Sequence, residues 1–298
     1  MPATPTLRAW LQLIRLPNLL TVPGDPLAGA CLALAIQGGG RLTPALMVGA
    51  ASLAFYTAGL IINDCCDLKE DRRQRPDRPL PSGHVARGHA LGASLLLIVL
   101  ALGLAWRVNP LSGATAGALS GMILLYNLLL KRSPLPGALA MGLCRGLSLL
   151  LGATAVGTGR PGGMVLAAAL LLTLYISAVT LLADREHEAV TLGGRRWWPL
   201  VAGVALLVLL LVVSHGWGWL SLLPATVAGV SLLRLGGALR GTPAPQIVQS
   251  SIGRYIRLLL LVQAALCFVQ FPAGTATGVV LCLLWPLSGR LGRWFYAS

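Results

Sequence analysis

Apolar stretches close to twenty residues long follow one another along almost the whole chain, and the arginines, lysines and acids collect in the short segments between them. Each stretch can cross a ~30 Å hydrocarbon core as a helix, which satisfies its own backbone hydrogen bonds there. The pattern predicts spans at 18–37, 43–63, 89–107, 111–130, 137–157, 163–183, 198–214, 217–235, 254–272 and 274–290. Little more than Phe271-Pro272-Ala273-Gly274 separates the last two, which read either as two spans with a tight turn or as one span and a re-entrant piece. Residues 1–17 read as a short amphipathic lead-in, with Leu7, Trp10, Leu11 and Ile14 beside Arg8 and Arg15, and no cleavable signal peptide is evident. The expected fold is all-α integral membrane, with nine or ten transmembrane helices in a single domain over 1–298.

Composition strengthens this reading. The 298 residues are 56% hydrophobic and only 11% charged, whereas roughly a quarter of ordinary globular residues are charged. The net charge of +14 would suggest nucleic acid in a soluble protein, but no basic run with interleaved aromatics is present, and no nucleic-acid partner is expected. The basic residues fill one set of loops instead. With ten spans, nineteen fall on the side that carries Arg8, Lys69, Lys131 and Arg195, against only Arg41, Arg107 and Arg160 on the other. The positive-inside rule makes the richer side cytoplasmic. The expected location is a bacterial inner (plasma) membrane, multi-pass, with membrane lipid around it. The six cysteines lack zinc-site spacing and imply no disulfide framework.

The acids change the picture most. Of nine, five lie within 64–77 and three within 184–188, each group following the cytoplasmic end of a span. Asp64, Asp67 and Asp71 stand at i, i+3 and i+7, so a helix continuing past the second span aligns them on one stripe. Asp184 and Glu188 stand at i and i+4. Aligned carboxylates repel one another unless a cation sits among them. Oxygen-only donors favour Mg²⁺, completed by water and phosphate oxygens. Arg72, Arg78, Lys131 and Arg132 share the face, and together with the metal they suit a polyanion such as diphosphate. Beside an apolar cavity, that points to a lipid-tailed substrate.

These residues also carry a family resemblance. Asn63-Asp64-Cys65-Cys66-Asp67-Leu68-Lys69-Glu70-Asp71 resembles the N-D-x-x-D-x-x-x-D motif of the UbiA superfamily of membrane prenyltransferases. Arg78-Pro79-Leu80-Pro81-Ser82-Gly83 resembles the R-P-L-x-S-G element that follows it, and Tyr126-Asn127 with Lys131-Arg132 the Y-x…K-R element after the fourth span. Met141 to Leu147 resembles the UbiA-like EboC subgroup. The resemblance implies helices around a central cavity under a cytoplasmic cap. It also implies Mg²⁺-dependent transfer of a prenyl group from a prenyl diphosphate to a small, often aromatic acceptor. Carried over by position, Asn63, Asp64, Asp67 and Asp71 would bind one Mg²⁺–diphosphate, and Asp184 would serve a second metal. The second motif departs from the usual D-x-x-x-D, reading Asp184-Arg185-Glu186-His187-Glu188.

Tyr126 or Tyr175 would offer a π-face to an allylic cation. Asp25 and Arg145 are charges inside apolar segments, where such groups face the bundle interior or a wet cavity. Two readings stay open: they pair with each other, or Arg145 contacts diphosphate while Asp25 and Asn18 line an acceptor pocket. The glycines from Gly113 to Gly121 are expected at close helix contacts. Two alternatives to the enzyme remain. One is a non-catalytic or transport-type relative that binds a lipid diphosphate or precursor. The other is an unrelated transporter, which the rim position of the acids disfavours.

Overall fold

The computed structural model describes residues 7–157, 159–184, 191–213 and 219–296. Among them no strand occurs, and twelve α-helices follow in chain order. They are α1 (Leu7–Leu13), α2 (Leu16–Leu19), α3 (Gly24–Gln37), α4 (Thr43–Gln74), α5 (Arg87–Val108) and α6 (Pro110–Leu128). After them come α7 (Pro134–Val156), α8 (Gly163–Ala183), α9 (Trp198–Val213), α10 (Trp219–Ala238), α11 (Pro245–Phe268) and α12 (Thr275–Tyr296). Eight helices, α4 to α11 with the 3₁₀ turn before α9 included, are long and apolar enough to cross a membrane. The protein is an integral, multi-pass membrane protein.

The other two predicted spans take a different form. The first is broken at Leu20–Pro23, leaving α3 with 14 residues, about 21 Å at 1.5 Å per residue and short of a full crossing. The prolines at 23 and 26 explain the break, since neither supplies an N–H to a continuous helix. The last, α12, keeps only Thr275–Leu291 as an apolar stretch and carries Pro286 inside it. It follows α11 after a short turn and packs along it.

Starts are set locally. Asn109 caps α6 by accepting from the Ser112 amide at 2.8 Å, and Pro110 follows at the first helical position. The same Asn109 donates to the Thr154 carbonyl at 2.9 Å, tying the α5–α6 turn to α7.

Short α3 forms the centre, packed on α7, α11 and α4. Where it crosses α7, a Cβ on Gly29 would strike the Leu149 carbonyl and one on Gly152 the Pro26 carbonyl. Small residues let these backbones approach, which is how helices associate where no hydrophobic force separates them from lipid. The glycine expectation for α6 is corrected here. Gly117 and Gly121 are exposed and face open space, whereas buried Gly113 does sit at a close contact, where a Cβ would strike the Trp106 ring of α5.

Candidate active site

α4 runs on to Gln74, about three turns past the predicted end of its span, so Asp64, Asp67 and Asp71 do project from one continuous helix. Apolar packing behind them fixes what they meet. Ile61 and Cys65 share a buried cluster with Ala9 and Leu13 of α1, and with Leu80 and Val85 of the loop after α4. That cluster holds α1 and the loop against α4, which brings Arg15 and Arg78 to its carboxylates. The loop itself is a folded turn. Both the Ser82 amide and the Ser82 hydroxyl donate to the Arg78 carbonyl, the Val85 amide donates to the Pro79 carbonyl, and Gly83 takes a left-handed φ of 79°.

Each carboxylate then has its own cation. Arg15 Nη2 donates to Asp64 Oδ1 at 3.1 Å. Arg78 Nη1 donates to Asp71 Oδ1 and Oδ2 at 3.0 and 2.9 Å and lies 4.0 Å from Asp64 Oδ1. Lys131 Nζ donates to Asp67 Oδ1 at 2.6 Å and to Asn63 Oδ1 at 3.2 Å. Asp64 and Asp71 are buried, whereas the Asp67 side chain is one-third exposed.

Two cavities meet at this rim. A broad one of ≈ 1270 Å³ is lined by Asn63, Asp67, Asp71 and Arg78 on one side and by Gln246, Gln249, Arg254 and Arg257 of α11 on the other. A narrow apolar one of ≈ 130 Å³ runs inward between Phe55 and Leu60 of α4, Leu119, Ile123 and Tyr126 of α6, and Met141 of α7. Arg15 and Asn63 line both. A charged headgroup and an apolar tail therefore have adjacent places, one above and one below the same two side chains.

The donor chemistry fits a hard divalent cation. Asn63, Asp67, Glu70 and Asp71 all present oxygen to the broad cavity. In this arrangement the carboxylates are spread along α4 and paired with cations, and among the described residues no three His, Cys, Asp or Glu side chains gather as a ready cage.

The remaining predicted residues divide. Asn18 lines the broad cavity. Lys131 and Arg132 line a third cavity of ≈ 810 Å³ on the other side of α4, with Lys69 and Arg73. Arg72 is exposed and lines none of these cavities. Asp184 is exposed at the end of α8 and likewise lines none of them. Glu188 lies outside the described residues.

For Asp25 and Arg145 the structure has the pairing arrangement. Arg145 Nε lies 2.7 Å from Asp25 Oδ2, and its Nη2 donates to Asp25 Oδ1 and the Thr21 carbonyl at 3.2 and 3.1 Å. Gln263 adds donations to Asp25 Oδ1 at 2.6 Å and the Thr21 carbonyl at 2.9 Å. The break before α3 frees that carbonyl, and the pair closes over it. Asp25 does reach the wall of the apolar cavity, with Arg145 beside it. The two tyrosines lie in different surroundings. Tyr126 lines the apolar cavity, whereas Tyr175 is fully buried between α8 and α11, donating to the Tyr255 carbonyl at 2.8 Å, and offers no face to a substrate.

Sequence reasoning missed Arg15 as the partner of Asp64, treating it as part of an amphipathic lead-in. It also missed the polar face of α11. Gln246, Gln249, Gly253 and Arg257 stand at i, i+3, i+7 and i+11, a helical stripe hidden by starting that span at residue 254. Gln263, a lone amide within an apolar stretch, was a similar signal for the Asp25 network.

The UbiA prenyltransferase family matches residues 26–242. The digeranylgeranylglyceryl phosphate synthase of Ignicoccus hospitalis is 35% identical over 191 residues, covering 64% of this chain and 60% of that protein. The protoheme IX farnesyltransferase of Alkalilimnicola ehrlichii is 36% identical over 248 residues, covering 74% of this chain and 80% of that one. Among solved structures, a UbiA homologue from Archaeoglobus fulgidus bound to GPP and Mg²⁺ superimposes with a TM-score of 0.61 at 14% identity, over 87% of this chain and 99% of that one. A UbiA homologue from Aeropyrum pernix K1 gives 0.60 at 17% identity, over 88% and 98%. At such identities the likeness is one of fold. With most of the chain matched, the protein belongs to the UbiA prenyltransferase family.

Proposed function

We propose that the protein transfers the prenyl group of a prenyl diphosphate to a small acceptor within the membrane, in a Mg²⁺-dependent reaction. The supporting observation is the junction at Arg15 and Asn63, where the carboxylate and cation rim opens onto an apolar channel. Relatives named as a digeranylgeranylglyceryl phosphate synthase and a protoheme IX farnesyltransferase support the same reaction class. So do fold neighbours bound to GPP or DMAPP with Mg²⁺.

In this reading Asn63, Asp64, Asp67 and Asp71 hold the metal that screens the diphosphate, and Mg²⁺ there supplies Lewis-acid stabilisation of the leaving oxygens. Asp184, with Glu188, contributes to a second such site, a role supported by their i, i+4 spacing. The fixed cations do the rest. Arg15, Arg78 and Lys131, each anchored by a carboxylate, take up charge as it builds on the departing diphosphate, so no reorganisation is needed at the moment of reaction. The allylic C–O bond breaks with its electron pair going to diphosphate. A bond forms from the same carbon to the acceptor, which gives up a proton. Tyr126, on the wall of the apolar cavity, presents a π-face to the carbon that carries positive charge. The excess of basic residues on this rim supports its facing the cytoplasm.

The test is direct. Purified protein in lipid nanodiscs would be given Mg²⁺, prenyl diphosphates of several lengths and candidate acceptors, and diphosphate release measured. Release that EDTA abolishes and Asp64→Ala reduces to background is expected. Release that Asp64→Ala leaves intact would sink the proposal.

A further inference from the structure

Asn127 stands in the last turn of α6 and is only 3% exposed. Its Nδ2 donates to the Ile123 carbonyl at 2.9 Å, one turn back on the same helix. A carbonyl can only accept, so this bond fixes which end of the amide is nitrogen and which is oxygen. Among the described residues nothing donates to that oxygen, Oδ1. A buried amide oxygen without a donor is costly, and native interiors rarely keep one unless a water or a ligand meets it.

The surroundings define what can reach it. Asn127 lines the narrow apolar channel beside its neighbour Tyr126. It also lines the third cavity, with Lys131 and Arg132 of the 3₁₀ turn after α6. No other described residue lines both. The broad cavity meets the channel elsewhere, at Arg15 and Asn63. The channel mouth therefore has two approaches, one on each side of α4. The diphosphate has its place on the first, and Asn127 marks the second.

An oxygen that only accepts selects a ligand with a proton to offer. A diphosphate or carboxylate anion is repelled by it, and a prenyl chain has no O–H or N–H to give. A hydroxyl, a phenol or an amine does. We propose that Asn127 is an acceptor-binding residue, and that an acceptor with an oxygen or nitrogen nucleophile enters through the third cavity and donates from that atom to Asn127 Oδ1. This rests on the prenyl-transfer reading above and narrows it to a class of acceptor and a route. The hydrogen bond aims the acceptor's lone pair into the channel beside Tyr126. There the allylic C–O bond breaks with its electron pair going to diphosphate, and the lone pair forms the new bond to carbon. The acceptor's proton goes to the released diphosphate, because an amide oxygen is too weak a base to take it.

Two probes that differ by one donor test the site. In phosphatidylcholine nanodiscs, equilibrium binding of 1-naphthol and of 1-methoxynaphthalene would be followed by fluorescence for the native protein, Asn127→Leu and Asn127→Ser, with empty nanodiscs subtracted. The native protein is expected to prefer naphthol about tenfold. Asn127→Leu, apolar and close in volume, should abolish the preference without lowering the melting temperature, and Asn127→Ser should keep part of it. Equal binding of the two probes, or a preference that both variants retain, overturns the proposal and leaves the oxygen to water. The route has its own readout. A bulky maleimide on exposed Cys66, which lines the third cavity, should slow naphthol association, with Cys66→Ser as the unlabelled control. An association rate untouched by the label removes that cavity as the entrance. With turnover in hand, Asn127→Leu should raise KM for the acceptor about tenfold and leave KM for the prenyl diphosphate in place. A donor preference lost in Asn127→Leu, in a protein that never releases diphosphate, would uphold the binding site and sink prenyl transfer alone.

Discussion

Arg15 reaches Asp64 at 3.1 Å across 49 residues of sequence, and it does so from a left-handed backbone conformation with φ 47°. It is the one described non-glycine residue with positive φ, a conformation that costs roughly 1–2 kcal/mol. The turn between α1 and α2 tolerates this because Leu13 is locked into the cluster behind α4 and the guanidinium is bound in front of it. Strain of this kind gathers where geometry serves a site.

The pair therefore gives the first prediction. Asp64→Asn should reduce diphosphate release on the order of a hundredfold or more, with little change in thermal midpoint because the replacement is nearly isosteric. Arg15→Gln should raise KM for prenyl diphosphate, and Arg15→Lys should recover part of the loss. Unchanged kinetics in both Arg15 variants would assign Arg15 to packing alone.

Metal dependence follows from the oxygen donors. Release should vanish with EDTA and return with Mg²⁺. Asp67→Ala should shift the Mg²⁺ concentration needed for half-maximal rate upward, since Asp67 is the most exposed carboxylate on the stripe. A rate independent of added metal in the chelated protein would contradict the donor assignment.

Asp25 and Arg145 should behave as one unit. Removing either partner, by Asp25→Asn or Arg145→Met, leaves a buried charge without compensation, a loss of about 3–5 kcal/mol. The double variant should regain much of it. Melting curves in detergent or nanodiscs read this, and strictly additive losses would argue against direct coupling.

The two tyrosines separate structure from chemistry. Tyr175→Phe removes one buried hydrogen bond to the Tyr255 carbonyl and should cost about 1 kcal/mol of stability while sparing kcat. Tyr126→Ala should lower kcat in a protein that melts near the native temperature. Equal kinetic losses in both would remove Tyr126 from the site.

Glycine contacts give a test confined to packing. Gly152→Ala drives a methyl into the Pro26 carbonyl and should destabilise by about 1–3 kcal/mol or more. Gly117→Ala enters open space on α6 and should be neutral or mildly stabilising. Thermal midpoints decide both.

The helices and the first acidic motif were legible because each is written locally. Apolar length announces a span, and Asp64, Asp67 and Asp71 carry their helical phase in their numbering. The break before α3 was partly legible, through Pro23 and Pro26, but an apolar tally blurs it because the flanking residues are equally hydrophobic. What could not be read was pairing at a distance. Nothing in residues 7–15 says that α1 folds against α4, and the meeting of Asp25 with Arg145 and Gln263 depends on three helices crossing at one level. Asp184 shows the opposite limit. Its spacing with Glu188 is suggestive, yet Asp184 itself ends exposed, apart from the rim cavities.

The two sets of ion pairs also differ in when they can form. Arg15, Arg78 and Lys131, the cations paired with Asp64, Asp71 and Asp67, all lie between positions 15 and 131, so these three pairs can form while the ribosome is still making the second half of the chain. Asp25 waits longer. Its first partner arrives with α7 at Arg145 and its last with α11 at Gln263. A nascent chain halted between those two helices would hold a finished rim above an unfinished lock, and the arrival of α11 would complete the lock and close the wall facing the rim in one step of insertion.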